Sequence, residues 1–179
     1  VRGITEDNYG NIWIGTFNGL NKYNPNNDLF TCYQQGPYQG NLSHSSVFPL
    51  YKDRQGTIWI GTYYGGVNYF NPEMNLFSVY EARNGGLSYP FVGKMVEDKT
   101  GNVWICTEGG GLNYFNRTTK QLSNFQSSHG SNSIAHNNLK AIAYSPERDK
   151  LYIGTYTGGL CIYDIKNNRC LLYTSPSPR

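Results

Sequence analysis

Short apolar runs alternate with turn-forming residues along the whole chain. Four of the runs are versions of one motif: NIWIGT (11–16), TIWIGT (57–62), NVWICT (102–107) and KLYIGT (150–155). Measured between Trp13, Trp59, Trp104 and Tyr152, the motif recurs after 46, 45 and 48 residues. Since no stretch keeps a 3.6-residue apolar period, we expect no sizeable helix.

Each repeat contains four predicted β-strands separated by turns. An apolar segment ending in Asp-x-x-Gly precedes the motif, a pattern that suits a type I turn closed by a residue with positive φ. A Gly-rich turn, a segment such as GGLNYFN (110–116), an Asn-rich reversal and a fourth run such as LFSVY (76–80) follow it. Four strands in each unit of 40–50 residues are typical of a β-propeller blade. We therefore predict an all-β protein, a β-propeller fragment of about four blades of four antiparallel strands each.

The repeat length sets the predicted blade boundaries. Blade 1 is expected at 1–46, blade 2 at 47–91, blade 3 at 92–138 and blade 4 at 139–173. Too few blades to close a ring would leave sheet faces exposed, so we expect an open arc of a larger ring. The terminal string LLYTSPSPR resembles a translated sequencing adapter. The last strand of blade 4 is therefore left open, and 174–179 is treated as a non-native tail.

Composition narrows the classes of function. The 179 residues include 21 Gly and 16 Tyr, which supply turns and aromatic strand positions. Fifteen Lys and Arg against 12 Asp and Glu give a net charge of +3, too weak to indicate a nucleic-acid partner. No run approaches the roughly 20 apolar residues of a transmembrane helix.

The repeat resembles the two-component regulator propeller repeat. The matching segments are ITEDNYGNIWIGTFNGLNKYN (4–24), LYKDRQGTIWIGTYYGGVNYFN (50–71) and MVEDKTGNVWICTEGGGLNYFN (95–116). Blade 4 keeps YIGTYTGGL (152–160) but lacks the Glu-Asp pair and the tryptophan. The resemblance covers about residues 1–165.

The resemblance implies a function for the chain. Proteins of this kind are extracytoplasmic sensors of hybrid histidine kinases, usually with two seven-bladed propellers, a β-sandwich, a membrane helix and a kinase. We accordingly expect a seven-bladed ring in the periplasm that recognises an oligosaccharide and signals across the membrane to regulate transcription. The resemblance further implies a homodimer formed through the parent receptor, with a membrane contact only through parts outside this chain. This region itself is expected to be non-catalytic, although its parent would be a histidine kinase.

A candidate ligand face follows from the alternation of strand direction. The turn between the second and third strands lies on the same face as the connection between blades, and the Asp-x-x-Gly turns lie on the opposite face. A sugar stacks its C–H face on aromatic rings while polar groups bind its hydroxyls. These side chains could also simply pack against neighbouring loops. The candidates are Phe17, Tyr63, Tyr64, Glu108 and Tyr156 in the turns, and His44, Tyr89 and His136 in the connections.

Other chemistry-bearing residues have structural explanations. The three tryptophans hold the same mid-strand place in their blades, which favours blade-to-blade packing over ligand binding. Asp7, Asp53 and Asp98 are interpreted as turn-formers. The cysteines are interpreted as buried thiols, although Cys161 and Cys170 fall on successive strands of one blade and could meet. The histidines His44, His129 and His136 lie in loops without metal-ligand spacing. We therefore predict no catalytic residue, no cofactor and no metal in this chain.

Two other classes of function stay open. A propeller glycosidase or polysaccharide lyase needs paired carboxylates, or a base with a charged partner. The candidate face supplies one carboxylate, Glu108, and further blades could supply a second. A protein-interaction scaffold of the WD40 kind has a similar blade length. The Gly-His and Trp-Asp dipeptides that mark such repeats are absent from this sequence.

Overall fold

The computed structural model describes residues 1–38, 40–71, 75–82, 86–128 and 133–173. The predicted tail 174–179 and His129 lie outside the described residues. Within these ranges the chain forms strands, turns and bends and no helix. The strands are β1 (Gly3–Glu6), β2 (Ile12–Thr16), β3 (Gly19–Asn24), β4 (Leu29–Tyr33), β5 (Val47–Lys52), β6 (Ile58–Thr62), β7 (Val67–Asn71), β8 (Leu76–Tyr80), β9 (Val92–Glu97), β10 (Val103–Thr107), β11 (Gly111–Asn116), β12 (Gln121–Phe125), β13 (Leu139–Ser145), β14 (Lys150–Thr155), β15 (Leu160–Asp164) and β16 (Arg169–Tyr173).

The strands form four sheets of four, each a meander of consecutive strands. Neighbouring strands such as β1 and β2, β2 and β3, β5 and β6, and β13 and β14 pair antiparallel, and the WIGT-type motif is the second strand of every sheet. The predicted all-β fold of four-stranded blades is thereby confirmed. The fourth strand of the last sheet, left open by the sequence, is present and pairs Tyr163 with Cys170.

The chain divides into two compact units, and each contains two sheets. Unit 1 is Val1–Val92 and unit 2 is Gly93–Arg179, so that the division falls at the start of β9. Each unit is described by itself below.

The core of unit 1 lies between its two sheets. Trp13 on β2 is 1% exposed and packs with Ile60 on β6 and Phe70 on β7. The ring centroids of Trp13 and Phe70 lie 4.8 Å apart. The tryptophan of the first blade therefore packs against the second blade, as the sequence predicts.

Unit 2 repeats this arrangement. Trp104 on β10 packs in one cluster with Leu151 and Ile153 on β14. Its ring lies 5.8 Å from that of Tyr163 on β15. Because two separate blade pairs bury tryptophan in the same way, the packing interpretation is confirmed for Trp13 and Trp104.

The Asp-x-x-Gly turns have the predicted geometry. In the first blade Gly10 has φ +77° and donates its N–H to the carbonyl of Asp7, with an N–O distance of 3.3 Å. The Asp7 carboxylate also accepts hydrogen bonds from the backbone of Tyr9 and Asn11 and from Nε1 of Trp13, the last at 2.8 Å. The turn-former interpretation is confirmed, and the structure adds the tryptophan as a partner.

The cysteines correct one expectation. Cys161 and Cys170, on adjacent strands of the last blade, form a disulfide. The interpretation as thiols is wrong for these two residues, and the alternative that they meet is correct, because the antiparallel pairing brings their Cα atoms to 6.1 Å. Cys32 is a free thiol but is exposed, and only Cys106 is the expected buried thiol.

Candidate functional site

The second-to-third-strand turns and the blade connection meet on one face of unit 1. The N–H of Gly19, which follows β2, donates to the carbonyl of Ser45 at 2.7 Å. The N–H of Tyr63, which follows β6, donates to the carbonyl of Ser46 at 3.1 Å. One connection is thus held by the turns of both flanking blades, which places the predicted turn and connection residues of this unit side by side.

Unit 2 contains the same arrangement around its own connection. Gly111 donates its N–H to the carbonyl of Asn137 at 2.8 Å, and Tyr156 donates to the carbonyl of Asn138 at 3.0 Å. A second donor, the N–H of Gly109, also reaches the Asn137 carbonyl at 3.1 Å.

A cleft of about 410 Å³ opens on this face of unit 1. It contains two of the predicted residues, His44 from the connection and Tyr64 from the turn. The other lining residues were not predicted from sequence. They are Gln35, Ser43, Gly65, Glu81, Ala82 and Pro90.

Glu81 changes the chemistry expected of the face. The sequence indicated a single carboxylate there, Glu108, which belongs to unit 2. Glu81 follows β8 directly, at the start of the connection to β9, and lines the cleft of unit 1 together with His44. The cleft therefore combines an aromatic ring, an imidazole and a carboxylate within unit 1.

The imidazole of His44 is oriented by the backbone of Ser46, two residues further along the connection. Its Nδ1 accepts a hydrogen bond from the N–H of Ser46 at 3.0 Å, so this geometry assigns the ring proton to Nε2. The ring centroids of His44 and Tyr64 lie 6.4 Å apart at 64°. His44 can thus offer a fixed N–H donor next to an exposed aromatic ring.

A buried amide holds the connection that carries His44. Asn68 on β7 is 0% exposed, and its Nδ2 donates to Oγ of Ser43 at 2.7 Å. Its Oδ1 accepts from the N–H of Ser43 at 3.0 Å. A Cβ on Gly65 would lie 2.4 Å from Oγ of Ser43, so the turn approaches this connection too closely for a side chain. The cleft wall is therefore fixed from two sides.

A row of aromatic rings leads away from the cleft. Tyr64 contacts Tyr63 at 4.5 Å between centroids, and Tyr63 contacts Phe91 at the same distance. Phe91 contacts Phe48 at 6.3 Å. Phe17, another predicted residue, is 72% exposed and joins this row through the guanidinium of Arg2. Tyr89 lies in the connection to β9 and is also exposed.

The predicted residues of unit 2 form a separate group. Glu108 pairs with Nζ of Lys140, which also lies 5.5 Å from the ring centroid of Tyr156. Nδ1 of His136 accepts from the N–H of Asn138 at 2.8 Å, the same turn that His44 makes in unit 1. The ion pair and the cation–π contact give Glu108 and Tyr156 partners within their own unit.

Two further features concern metal binding and membrane insertion in the described ranges. These ranges contain no cluster of three or more His, Cys, Asp or Glu side chains placed to hold a metal ion. They also contain no helix with the length and apolar character needed to cross a membrane.

Comparisons with known proteins agree with this architecture. The two component regulator propeller family matches residues 1–18, 41–64 and 85–109. No match is found among curated protein sequences. The fold resembles the extracellular domain of the hybrid two component system BT3049 from B. thetaiotaomicron, with a TM-score of 0.86 and 25% identity over 99% of this chain. It also resembles that of the hybrid two component system BT4673 from the same organism, with a TM-score of 0.81 and 20% identity over 95% of the chain.

The similarity has two limits. The chain spans only 25% and 24% of the lengths of these two extracellular domains. Virginiamycin B lyase from Staphylococcus aureus shares the fold with a TM-score of 0.71 and 16% identity, over 99% of this chain and 56% of the lyase. At that identity the similarity concerns the fold alone. The three segments that match the two component regulator propeller family thus each include one WIGT-type motif, at 11–16, 57–62 and 102–107.

Proposed function

We propose that this chain is part of the extracytoplasmic sensor region of a hybrid two-component histidine kinase, and that the cleft of unit 1 binds an oligosaccharide. The observation that carries the ligand assignment is the combination of Tyr64, His44 and Glu81 around one cleft. The exposed ring offers a stacking surface, and the imidazole N–H and the carboxylate offer a donor and an acceptor for hydroxyl groups.

The assignment to a sensor is supported by the repeat and by the two extracellular domains that the chain resembles. In this proposal the chain is periplasmic and non-catalytic. It reaches the membrane and a partner copy of the receptor only through other parts of the polypeptide. Ligand binding changes the packing of the two receptor chains, and the kinase then regulates transcription.

The first experiment is to determine the sequence that flanks this chain in its source DNA. The proposal expects further WIGT-type blades, one membrane helix and a histidine kinase in the same polypeptide. A secreted closed propeller with no membrane helix and no kinase would overturn the sensor assignment.

The second experiment measures binding to an array of neutral, uronate-containing and sulfated oligosaccharides, using the whole polypeptide that carries these blades. Tyr64→Ala should lower the affinity for a bound glycan about tenfold or more, since it removes the stacking surface. Tyr9→Ala is the matched control because Tyr9 is also exposed, at 71% against 59% for Tyr64, but lies in the Asp-x-x-Gly turn of the opposite face. Equal affinities for both variants and the wild type would place the ligand elsewhere.

A propeller lyase or glycosidase is the second candidate function. The observation that favours it is that Glu81 and His44 line the same cleft, which could supply an acid and a base. Incubation of the bound glycan with the protein distinguishes the two candidates. Shorter or unsaturated products that disappear in Glu81→Gln would support the enzyme, whereas an intact glycan supports the sensor.

A further inference from the structure

Arg2 presents a positive charge on the same face of unit 1 as the cleft. Its guanidinium carbon lies 4.5 Å from the ring centroid of Phe17 and 4.3 Å from that of Phe48. The two rings come from different blades, one from the turn after β2 and the other from β5. The cation is therefore held by both blades of the unit.

The partners of this guanidinium are aromatic and not acidic. Among the described residues, no carboxylate lies within ion-pair distance of Arg2. An arginine stacked on rings keeps its N–H groups free at the edge of the guanidinium plane, where they match the oxygens of a carboxylate or a sulfate in bidentate geometry. The side chain is pre-organised for such a ligand because the rings limit its rotamers.

The aromatic row connects this cation to the cleft. Phe48 contacts Phe91, Phe91 contacts Tyr63, and Tyr63 contacts Tyr64 at the cleft. The rings, in tilted and edge-to-face contact, form one aromatic row along the surface from the cleft to Arg2. A chain of several sugar units can follow such a surface, whereas a single small molecule occupies only one end.

We propose that Arg2, clamped between Phe17 and Phe48, binds an oxyanion on an acidic oligosaccharide, either the carboxylate of a uronate or a sulfate ester. This inference rests on the proposed function and narrows its ligand class, since neutral sugar units occupy the cleft and the anionic group lies at Arg2.

The test uses the same oligosaccharide array and the whole polypeptide that carries these blades. The glycans that bind should carry a carboxylate or a sulfate, and the two charged classes on the array show which of them is preferred. For the best binder, Arg2→Gln should lower the affinity about tenfold or more, because it removes a charge-assisted bidentate contact. Raising the salt concentration should weaken binding to the wild type and have less effect on Arg2→Gln.

Two variants separate the role of Arg2 from a general effect of charge. Arg2→Lys keeps the charge but loses the planar guanidinium with its paired N–H donors. Its affinity should therefore lie between those of Arg2→Gln and the wild type. Lys22→Gln removes a cation that lies 5.6 Å from the Trp13 ring, at another place in the same unit, and should leave the affinity unchanged.

The outcomes distinguish this inference from the proposed function. If only neutral glycans bind, or if Arg2→Gln binds an acidic glycan as tightly as the wild type, this inference is wrong and the oligosaccharide sensor stands. If no glycan of any class binds, both fail. If Arg2→Gln and Lys22→Gln weaken binding equally, the effect is one of net charge, and a specific role of Arg2 is excluded.

Discussion

The carboxylate of Asp53 connects a turn to the core of its blade. It accepts a hydrogen bond from Nε1 of Trp59 at 2.8 Å and others from the N–H groups of Gln55 and Thr57. The same six-residue spacing joins Asp7 to Trp13 and Asp98 to Trp104. The fourth blade has lost both members, with Pro146 and Tyr152 at the corresponding positions. Aspartate and tryptophan therefore act as one structural pair.

Removing the carboxylate of Asp53 should destabilise the protein. Asp53→Ala leaves a buried indole N–H without its acceptor and deprives the turn of two hydrogen bonds, so we expect a loss of about 2–3 kcal/mol in the free energy of unfolding. Asp53→Asn keeps an acceptor oxygen and should lose less. Urea denaturation gives both values. Glu147→Ala, in the exposed turn of the fourth blade, is the control and should cost less than about 0.5 kcal/mol. Equal effects at the two positions would contradict the pairing.

Asp7 should make stability depend on pH in the acidic range. Burial raises the pKa of its carboxyl, but the hydrogen bonds from Trp13, Asn11 and Tyr9 lower it by more, so the pKa lies below the ordinary 3.8. A carboxyl whose pKa is lowered by folding stabilises the protein fully above its unfolded pKa, about 4, and this contribution is lost as the pH falls through the folded pKa.

The measurement is the free energy of unfolding of the wild type and of Asp7→Asn between about pH 7 and pH 2.5. The wild type should be more stable at neutral pH, and the difference should shrink below about pH 4. A difference that stays constant over the whole range would show that the charge of Asp7 contributes nothing.

At the scale of the element, the turn between the second and third strands requires a glycine. Gly66 has φ +75°, and a Cβ at this position would lie 2.3 Å from the carbonyl oxygen of Tyr80. Gly66→Ala should therefore cost more than about 1 kcal/mol, since both the backbone conformation and the space oppose a side chain. Gly154→Ala is the matched control because its Cβ would meet Ala141 at an ordinary 3.4 Å. Thermal unfolding of the two variants tests this, and similar midpoints would show that the turn relaxes at little cost.

The sequence repeat predicted which turns and connections lie at the cleft better than it predicted which side chains line the cleft. His44 and Tyr64, which line the cleft, could be named from the sequence because each holds a fixed place in a repeating unit. Glu81 and Gln35 lie in the first parts of their connections, which share no motif between blades, so no periodic signal marked them. The hydrogen-bonded pair of Asn68 and Ser43 did leave a signal in the sequence. In the fourth blade, Cys161 replaces the asparagine and Ala135 replaces the serine. Their joint loss is what a contacting pair would show.

At the scale of the whole molecule, one packing rule recurs. In both units the tryptophan of one blade covers an isoleucine on the second strand of the next, Ile60 in unit 1 and Ile153 in unit 2, and both are 0% exposed. The equivalent residue of the first blade, Ile14, is only half-buried, and its strand neighbour Ile4 is 63% exposed. This apolar face has the composition of an interior surface, and the rule predicts that a further blade packs against it.

Ile4→Lys tests that prediction by comparing two polypeptides. In the 179-residue chain the side chain is already exposed, so the change should alter the free energy of unfolding by less than about 0.5 kcal/mol. In a polypeptide that supplies the further blade, the same lysine would be buried against a tryptophan without a partner and should cost several kcal/mol. Ile60→Lys, on the equivalent face of the second blade, should be strongly destabilising in both. If Ile4→Lys changes the free energy of unfolding equally little in both polypeptides, no further blade packs against this face of the first blade, and the prediction is wrong.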